Sequence, residues 1–205
     1  MVLGITGKYC AGKSTVAAIV ETHGFFQIEV DHLGHIALER QKRQIISRFG
    51  PAVLEGGGEE PSGAIDRRAL GEIVFNDEAA RRDLEAIVHP QMVLMVEELI
   101  DAHPDEDIII NAAILYRMKL DRLCDLLLWV DAPALIRLYR AIRRDHLSLR
   151  QVVSRFRSQA DMNGRPAQFS SRNVDTRTVM NACGLSRLTH DVERILAAYR
   201  NGVSE

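Results

Sequence analysis

The sequence predicts an α/β fold of three layers, with helices on both faces of a five-stranded parallel sheet. Two observations carry this expectation. Short apolar runs alternate with longer amphipathic stretches along the 205 residues, and alternating strands and helices imply right-handed crossovers in a parallel sheet. Two of the runs, Asp107 to Ile110 and Leu126 to Val130, are also too short for buried helices and fit strands covered on both faces.

Taken in order, Val2 to Thr6 (VLGIT) reads as the first buried strand, followed by a glycine-rich turn. Ser14 to Thr22 then has helical spacing, with Val16, Ile19 and Val20 on one face. A second strand, Phe25 to Val30, ends at Asp31. Most of His32 to Arg48 reads as helix, with Leu33, Ile36, Ala37, Ile45 and Ile46 at apolar positions. The stretch Gly50 to Gly63 is a loop. Ile65–Phe75 and Glu78–His103 read as helices capped by Asp66 and Asp77, and Pro90 is expected to kink or split the second. After the two apolar strands, helices are expected at Pro133–Arg144 and Leu149–Ala160, the latter opening on a capping box of Ser148 and Gln151. A loop over 161–175, a short strand at Thr178–Met180 and a closing helix at Leu185–Tyr199 complete the chain.

Composition narrows the class. Hydrophobic residues make up 46% of the chain and the formal net charge is −2, which suits a sizeable core and speaks against a general nucleic-acid or membrane binder. No apolar run reaches the ~18 residues of a membrane span. Three cysteines, Cys10, Cys124 and Cys183, show no CxxC spacing and fit free thiols in a reducing compartment. With no signal-peptide pattern at the start, a cytoplasmic protein is expected.

The chemistry begins at Gly7, Lys8, Tyr9, Cys10, Ala11, Gly12, Lys13 and Ser14, which fit G-x-x-x-x-G-K-[ST] at every fixed position. Glycines permit the tight turn, backbone N–H groups point at phosphates, and the following helix adds the positive end of its dipole. Lys13 is positioned for the β- and γ-phosphates, and Ser14 and the adjacent Thr15 stand where hydroxyls meet Mg²⁺ and phosphate. The loop sits between a strand and a helix, as it must. It implies a P-loop nucleotide-binding fold but leaves the fate of the γ-phosphate open, since GTPases, ATPases and small-molecule kinases share it. Asp31 closes the second strand, and ligands of open parallel sheets bind beyond the strands' carboxyl ends. On position alone, Asp31 is equally a nucleophile-orienting carboxylate and a helix cap. Lys8 is equally a phosphate contact and a solvated lysine. Arg137, Arg140 and Arg144 follow i, i+3, i+7 spacing on one helix face, a fork geometry suited to phosphate oxygens.

At these residues the chain resembles the dephospho-CoA kinase family. The resemblance runs through Gly4 to Val16 (GITGKYCAGKSTV), Asp31, Phe49-Gly50, Ile65-Asp66-Arg67-Arg68-Ala69-Leu70, Val74-Phe75, Leu84-Glu85 and His89-Pro90. Arg140 to Asp145, Gln159 and Val179-Met180-Asn181 continue it. It implies transfer of the ATP γ-phosphate to the ribose 3′-hydroxyl of dephospho-CoA, the last step of coenzyme A synthesis, with ATP and Mg²⁺ required. Asp31 then looks like the general base, Lys13 the phosphate-binding lysine and Arg140 a lid arginine steadying the transferred phosphoryl. Arg144 and Asn181 join the nucleotide site, Asp31, Arg67 and His89 the acceptor side, and Ser14 the metal. For His89, a satisfied structural histidine stands beside that role.

The resemblance also implies one domain with a core at 1–48, 104–135 and 175–205, a substrate-binding helical part at about 49–103 and an arginine-rich lid at about 136–174. The expected partners are ATP and dephospho-CoA, with no nucleic acid or membrane, in a monomer or weak homo-oligomer. The chain departs from the family after the third strand. Asn111, Ala113 and Arg117 stand where an aspartate, a proline and a glutamate are usual, and Lys8, Tyr9 and Cys10 replace small residues in the loop. These departures keep two alternatives in view: a related nucleotide or small-molecule kinase, and a catalytically weakened ATP-binding homologue.

Overall fold

The computed structural model describes residues 1–56, 63–145 and 174–202. They divide into two compact units, Val30–Ala102 and the remainder of the chain.

The larger unit carries the sheet. Its strands are β1 (Val2–Gly7), β2 (Phe26–Glu29), β3 (Ile108–Asn111), β4 (Leu126–Asp131) and β5 (Asp175–Met180), all parallel in the order β2-β3-β1-β4-β5. The apolar runs of β3 and β4 are buried on both faces, as their composition requires. Helix α1 (Lys13–Glu21) buries Val16, Ala17, Ile19 and Val20 in the main core, and a C-terminal helix at Leu185–Arg200 adds Leu188, Val192 and Leu196. These meet Leu3, Ile5, Leu126, Leu128 and Val130 from the sheet. Strand register brings the functional end into line, with Gly7 opposite Val130 on β4 and Asp131 opposite Met180 on β5. The carboxyl ends of β1, β4 and β5 therefore lie side by side. β5 begins at Asp175, three residues before its expected start, because the polar Asp175–Arg177 segment pairs with Leu126–Leu128.

The second unit is helical: α2 (Val30–Arg40), α3 (Lys42–Phe49), a 3₁₀ turn at Pro51–Val53, α4 (Arg67–Asn76) and α5 (Glu78–Ala102). Two expectations are refined here. The helix expected over most of 32–48 is present as two helices divided at Gln41 (φ −97°, ψ 13°). Ile45 turns inward on α3 while Ile36 is left 48% exposed. The Gln41 side chain donates to Gln91 Oε1 at 2.9 Å, fixing the break against α5. Pro90 does not split α5, which continues to Ala102; Val88, Met92, Met95 and Val96 are buried on either side of it, so packing outweighs the one lost donor. The compact helical unit spans Val30–Ala102, with α2 packed along α5.

Both proposed caps form. Asp66 accepts from the N–H groups of Arg68 and Ala69, and Asp77 Oδ1 accepts from Ala79 and Ala80 at 2.8 and 3.1 Å. Helix α6 (Ala134–Asp145) also follows expectation. The Ser148–Gln151 capping box, the helix at 149–160, Gln159, the loop beyond it to residue 173 and the greater part of the expected lid lie outside the described residues.

The backbone bonds from Ala80 and Ala79 hold the Asp77 carboxyl below its ordinary pKa. A depressed folded-state pKa means the cap stabilises fully above the ordinary carboxylate range and loses that contribution as pH falls through the lowered value. Urea unfolding of Asp77→Asn at pH 7 and below pH 4 should therefore show a smaller acid-induced loss of stability than the unaltered chain, since asparagine keeps the acceptor but does not titrate.

Candidate active site

The loop between β1 and α1 is built from close approaches. Gly7 (φ 145°) passes so near β4 that a Cβ placed there would stand 2.0 Å from the Val130 carbonyl oxygen. Gly12 (φ 99°) lies in the left-handed region, and a Cβ there would meet Asn181 Nδ2 at 2.2 Å. Both glycines of the motif are thus required by space and by backbone conformation. Between them the chain is held at successive residues. Lys8 N–H donates to Val130 O at 3.2 Å, and its ammonium meets Asp131 Oδ2 at 2.7 Å. Cys10 also has positive φ (57°), a rarity for a residue with a side chain; its buried thiol and the neighbouring Tyr9 pack with Leu138 and Ala141 of α6.

Ala11 is fully buried, and its carbonyl accepts from Asn181 Nδ2 at 2.9 Å and from an Arg140 terminal nitrogen at 3.2 Å. Arg140's other terminal nitrogen reaches Asn181 Oδ1 at 3.1 Å and the Asn181 carbonyl at 3.3 Å. Asn181 itself is buried just past β5, its N–H bound to Asp131 O at 2.8 Å. Phosphate loop, α6 and the end of β5 are thereby joined through Arg140 and Asn181.

Lys13 is the first residue of α1, its ammonium 3.5 Å from Gly7 O, and Ser14 and Thr15 are exposed in the helix's first turn. Arg144 lies in the last turn of α6. In the helical unit, Asp31 is exposed in the first turn of α2, two residues beyond the end of β2; Arg67 is exposed at the start of α4; and His89 is half-buried on α5. The departures from the family pattern separate by burial. Asn111 is buried at the end of β3, whereas Arg117 is exposed. Burial holds the Tyr116 phenol up at about 12, so it stays neutral at physiological pH.

Among the described residues no three histidine, cysteine or acidic side chains cluster to hold a metal. The exposed Ser14 hydroxyl is one oxygen donor at the loop. A hard oxygen there fits Mg²⁺, which keeps several waters and takes substrate phosphates as its main ligands rather than a protein cage.

A family model described as "Dephospho-CoA kinase" matches residues 1–174. The chain belongs to the dephospho-CoA kinase family. A dephospho-CoA kinase of Moorella thermoacetica is 37% identical over 171 residues, covering 80% of this chain and 78% of the relative. One from Anaeromyxobacter dehalogenans is 33% identical over 209 residues, covering 98% and 93%. The crystal structure of a Thermus thermophilus protein superposes with a TM-score of 0.75 at 27% identity, covering 100% of this chain and 98% of that one. Family membership makes this an ATP-dependent kinase of coenzyme A synthesis, and the alternatives of another acceptor or a weakened homologue are not favoured. No described helix is long and apolar enough to cross a membrane.

Sequence reasoning missed one residue of this site. Asp131 closes β4, and its pairing with Lys8 depends on β1 and β4 being neighbours, which no local pattern reveals.

Because Gly12 is fixed by both positive φ and the Asn181 amide, Gly12→Ala should weaken binding of a non-hydrolysable ATP analogue by about 5- to 150-fold, the size of a backbone-strain penalty of about 1–3 kcal/mol. Isothermal titration measures it, and an unchanged affinity would contradict the crowding described.

Proposed function

We propose that this chain transfers the γ-phosphoryl group of ATP to the ribose 3′-hydroxyl of dephospho-CoA, using the loop Gly7–Ser14 for the nucleotide and Asp31 as general base. The carrying observation is a phosphate loop held in shape at the carboxyl ends of β1 and β4, in a chain of the dephospho-CoA kinase family.

In this reading the backbone of Gly7 through Gly12 cradles the phosphates, with Lys8, Tyr9, Cys10 and Ala11 forming the loop's walls and Thr15 completing the first helical turn. Lys13, at the positive end of α1, follows the β- and γ-phosphates and stabilises charge as the phosphoryl leaves. Asp31 accepts the proton of the acceptor hydroxyl, so that its oxygen attacks as the bond to ADP breaks. Support for Asp31 is its exposed carboxylate in the first turn after β2. Arg67 and His89 of the helical unit are assigned to the acceptor.

Arg140 is assigned to the transferred phosphoryl group. Both of its terminal nitrogens are engaged with Ala11 and Asn181, so direct contact requires one of these bonds to exchange for a phosphate oxygen. Arg144 and Asn181 complete the nucleotide side. Ser14 would hold Mg²⁺, which supplies charge neutralisation at the β- and γ-phosphate oxygens. The segment at about 49–103 would serve the acceptor, and that at about 136–174 would cover the nucleotide. The same reading describes a cytoplasmic monomer or weak homo-oligomer acting on two small molecules, without nucleic-acid or membrane partners. The net charge of −2 supports the last point.

A coupled assay for ADP with dephospho-CoA as acceptor tests the reading; release no greater than with ATP alone would refute it. Asp31→Asn should lower kcat by about 10² to 10⁴ while leaving ATP-analogue affinity nearly unchanged. Lys13→Ala should lower turnover by about 10² or more with little change in melting temperature, because its ammonium stabilises charge rather than packing. Parallel losses of folding and turnover in the lysine variant would count against its assignment.

A further inference from the structure

We infer that Lys8 and Asp131 are a positioning pair for the phosphate loop, and that Lys8 serves the nucleotide through this carboxylate rather than by touching phosphate. The inference rests on the loop being the ATP site. It concerns a residue that stands where the family has a small one, so it describes how this particular chain builds the loop.

The geometry around Asp131 is that of a junction. Oδ2 takes the Lys8 ammonium at 2.7 Å, Oδ1 accepts the Ala132 N–H at 2.7 Å ahead of α6, and the backbone carbonyl accepts the Asn181 N–H at 2.8 Å. One residue thus contacts the loop, the approach to the arginine-bearing helix, and the asparagine that holds Ala11. On the other side, Lys8 is fixed at both backbone ends: its N–H is bound to Val130 O, and its carbonyl accepts from Ala11 N–H at 3.1 Å. With the backbone so constrained, the side chain lies along the end of β4.

Charge and burial agree with this. The side chains of Lys8 and Asp131 are 22% and 17% exposed, so the pair is shielded more than an ordinary surface pair. Asp131 neutralises Lys8 locally, leaving Lys13 and the loop's N–H groups as the attraction for phosphate. A free lysine in a loop without that anchor would instead be a second cation competing for the anion. The neighbouring Tyr9 and Cys10, also unusual for the family, pack on α6, so three consecutive side chains of the loop are each held by protein atoms.

Titration of magnesium and a non-hydrolysable ATP analogue into Lys8→Met, Asp131→Asn and the double variant, without acceptor, separates the possibilities. Asparagine retains the oxygen that meets Ala132 N–H, and Lys8→Arg retains the ion pair. Each single charge-removing variant should weaken the analogue about three- to tenfold, the double variant no more than the worse single, and Lys8→Arg should stay near the unaltered affinity. In turnover, KM for ATP should rise by the same factor while kcat changes less. Weakening in Lys8→Met without weakening in Asp131→Asn would overturn the inference in favour of a direct phosphate contact. Lower melting temperatures with unchanged affinity would overturn it in favour of a purely structural pair. Multiplying effects in the double variant would show two independent contacts and equally overturn it. Absence of analogue binding by the unaltered chain would overturn the nucleotide-site reading beneath it.

Discussion

The carbonyl of Ala11 is the point on which the sheet-bearing unit converges. A phosphate loop must present backbone N–H groups to an anion, which obliges its carbonyls to face the protein and find donors there. Ala11 is fully buried, so an unmet carbonyl would be costly, and two side chains meet it: the Asn181 amide and the Arg140 guanidinium. Those two also bind each other. Once this arrangement is fixed, the space beside Gly12 is filled by the Asn181 amide, and only glycine fits. The glycine that the motif demands and the asparagine that follows a strand some 170 residues later are two halves of one contact.

The sheet makes that contact reachable. β1 and β4 pair in parallel with Gly7 opposite Val130, and β4 pairs with β5 so that Asp131 lies opposite Met180. Three adjacent strand ends therefore deliver the loop, the carboxylate and the asparagine to one edge. The apolar interiors of β3 and β4 are what hold these ends in register, since a slip along a strand would misplace every residue at the carboxyl end. The helical unit has a different logic. Its centre is α5, whose buried Val88, Met92, Met95 and Val96 continue across Pro90, with α2 and α4 packed against it and Arg48 paired to Asp83 at 2.6 Å.

Much of this was legible in the sequence, for identifiable reasons. The sheet, the loop and both aspartate caps were readable because each is written in contiguous residues: apolar runs, a fixed glycine spacing, an aspartate ahead of an apolar stretch. Gln41 was not readable as a break, because what stops the helix is a distant partner, Gln91, and the inward turn of Ile45. The split expected at Pro90 does not occur for the converse reason, since packing on both sides outweighs the local rule. Spacing groups Arg140 with Arg137 and Arg144 on one helix face, but the contacts of Arg140 with Ala11 and Asn181 depend on a strand order that spacing does not contain. The Asp131–Lys8 pair is hidden from the sequence on the same ground, and the burial of Asn111 depends on the neighbours of β3 rather than on its own segment.

One consequence follows from Cys10. Its side chain occupies a left-handed backbone position and is packed against Ala141, so the loop keeps its curvature through apolar contact as well as through glycine. A loop held in this way has little conformational freedom left to lose when a ligand arrives. Nucleotide capture then carries a small entropic penalty, and more of the contact energy is expressed as affinity. A thiol in that position also has a size limit: anything larger attached to it would have to displace α6.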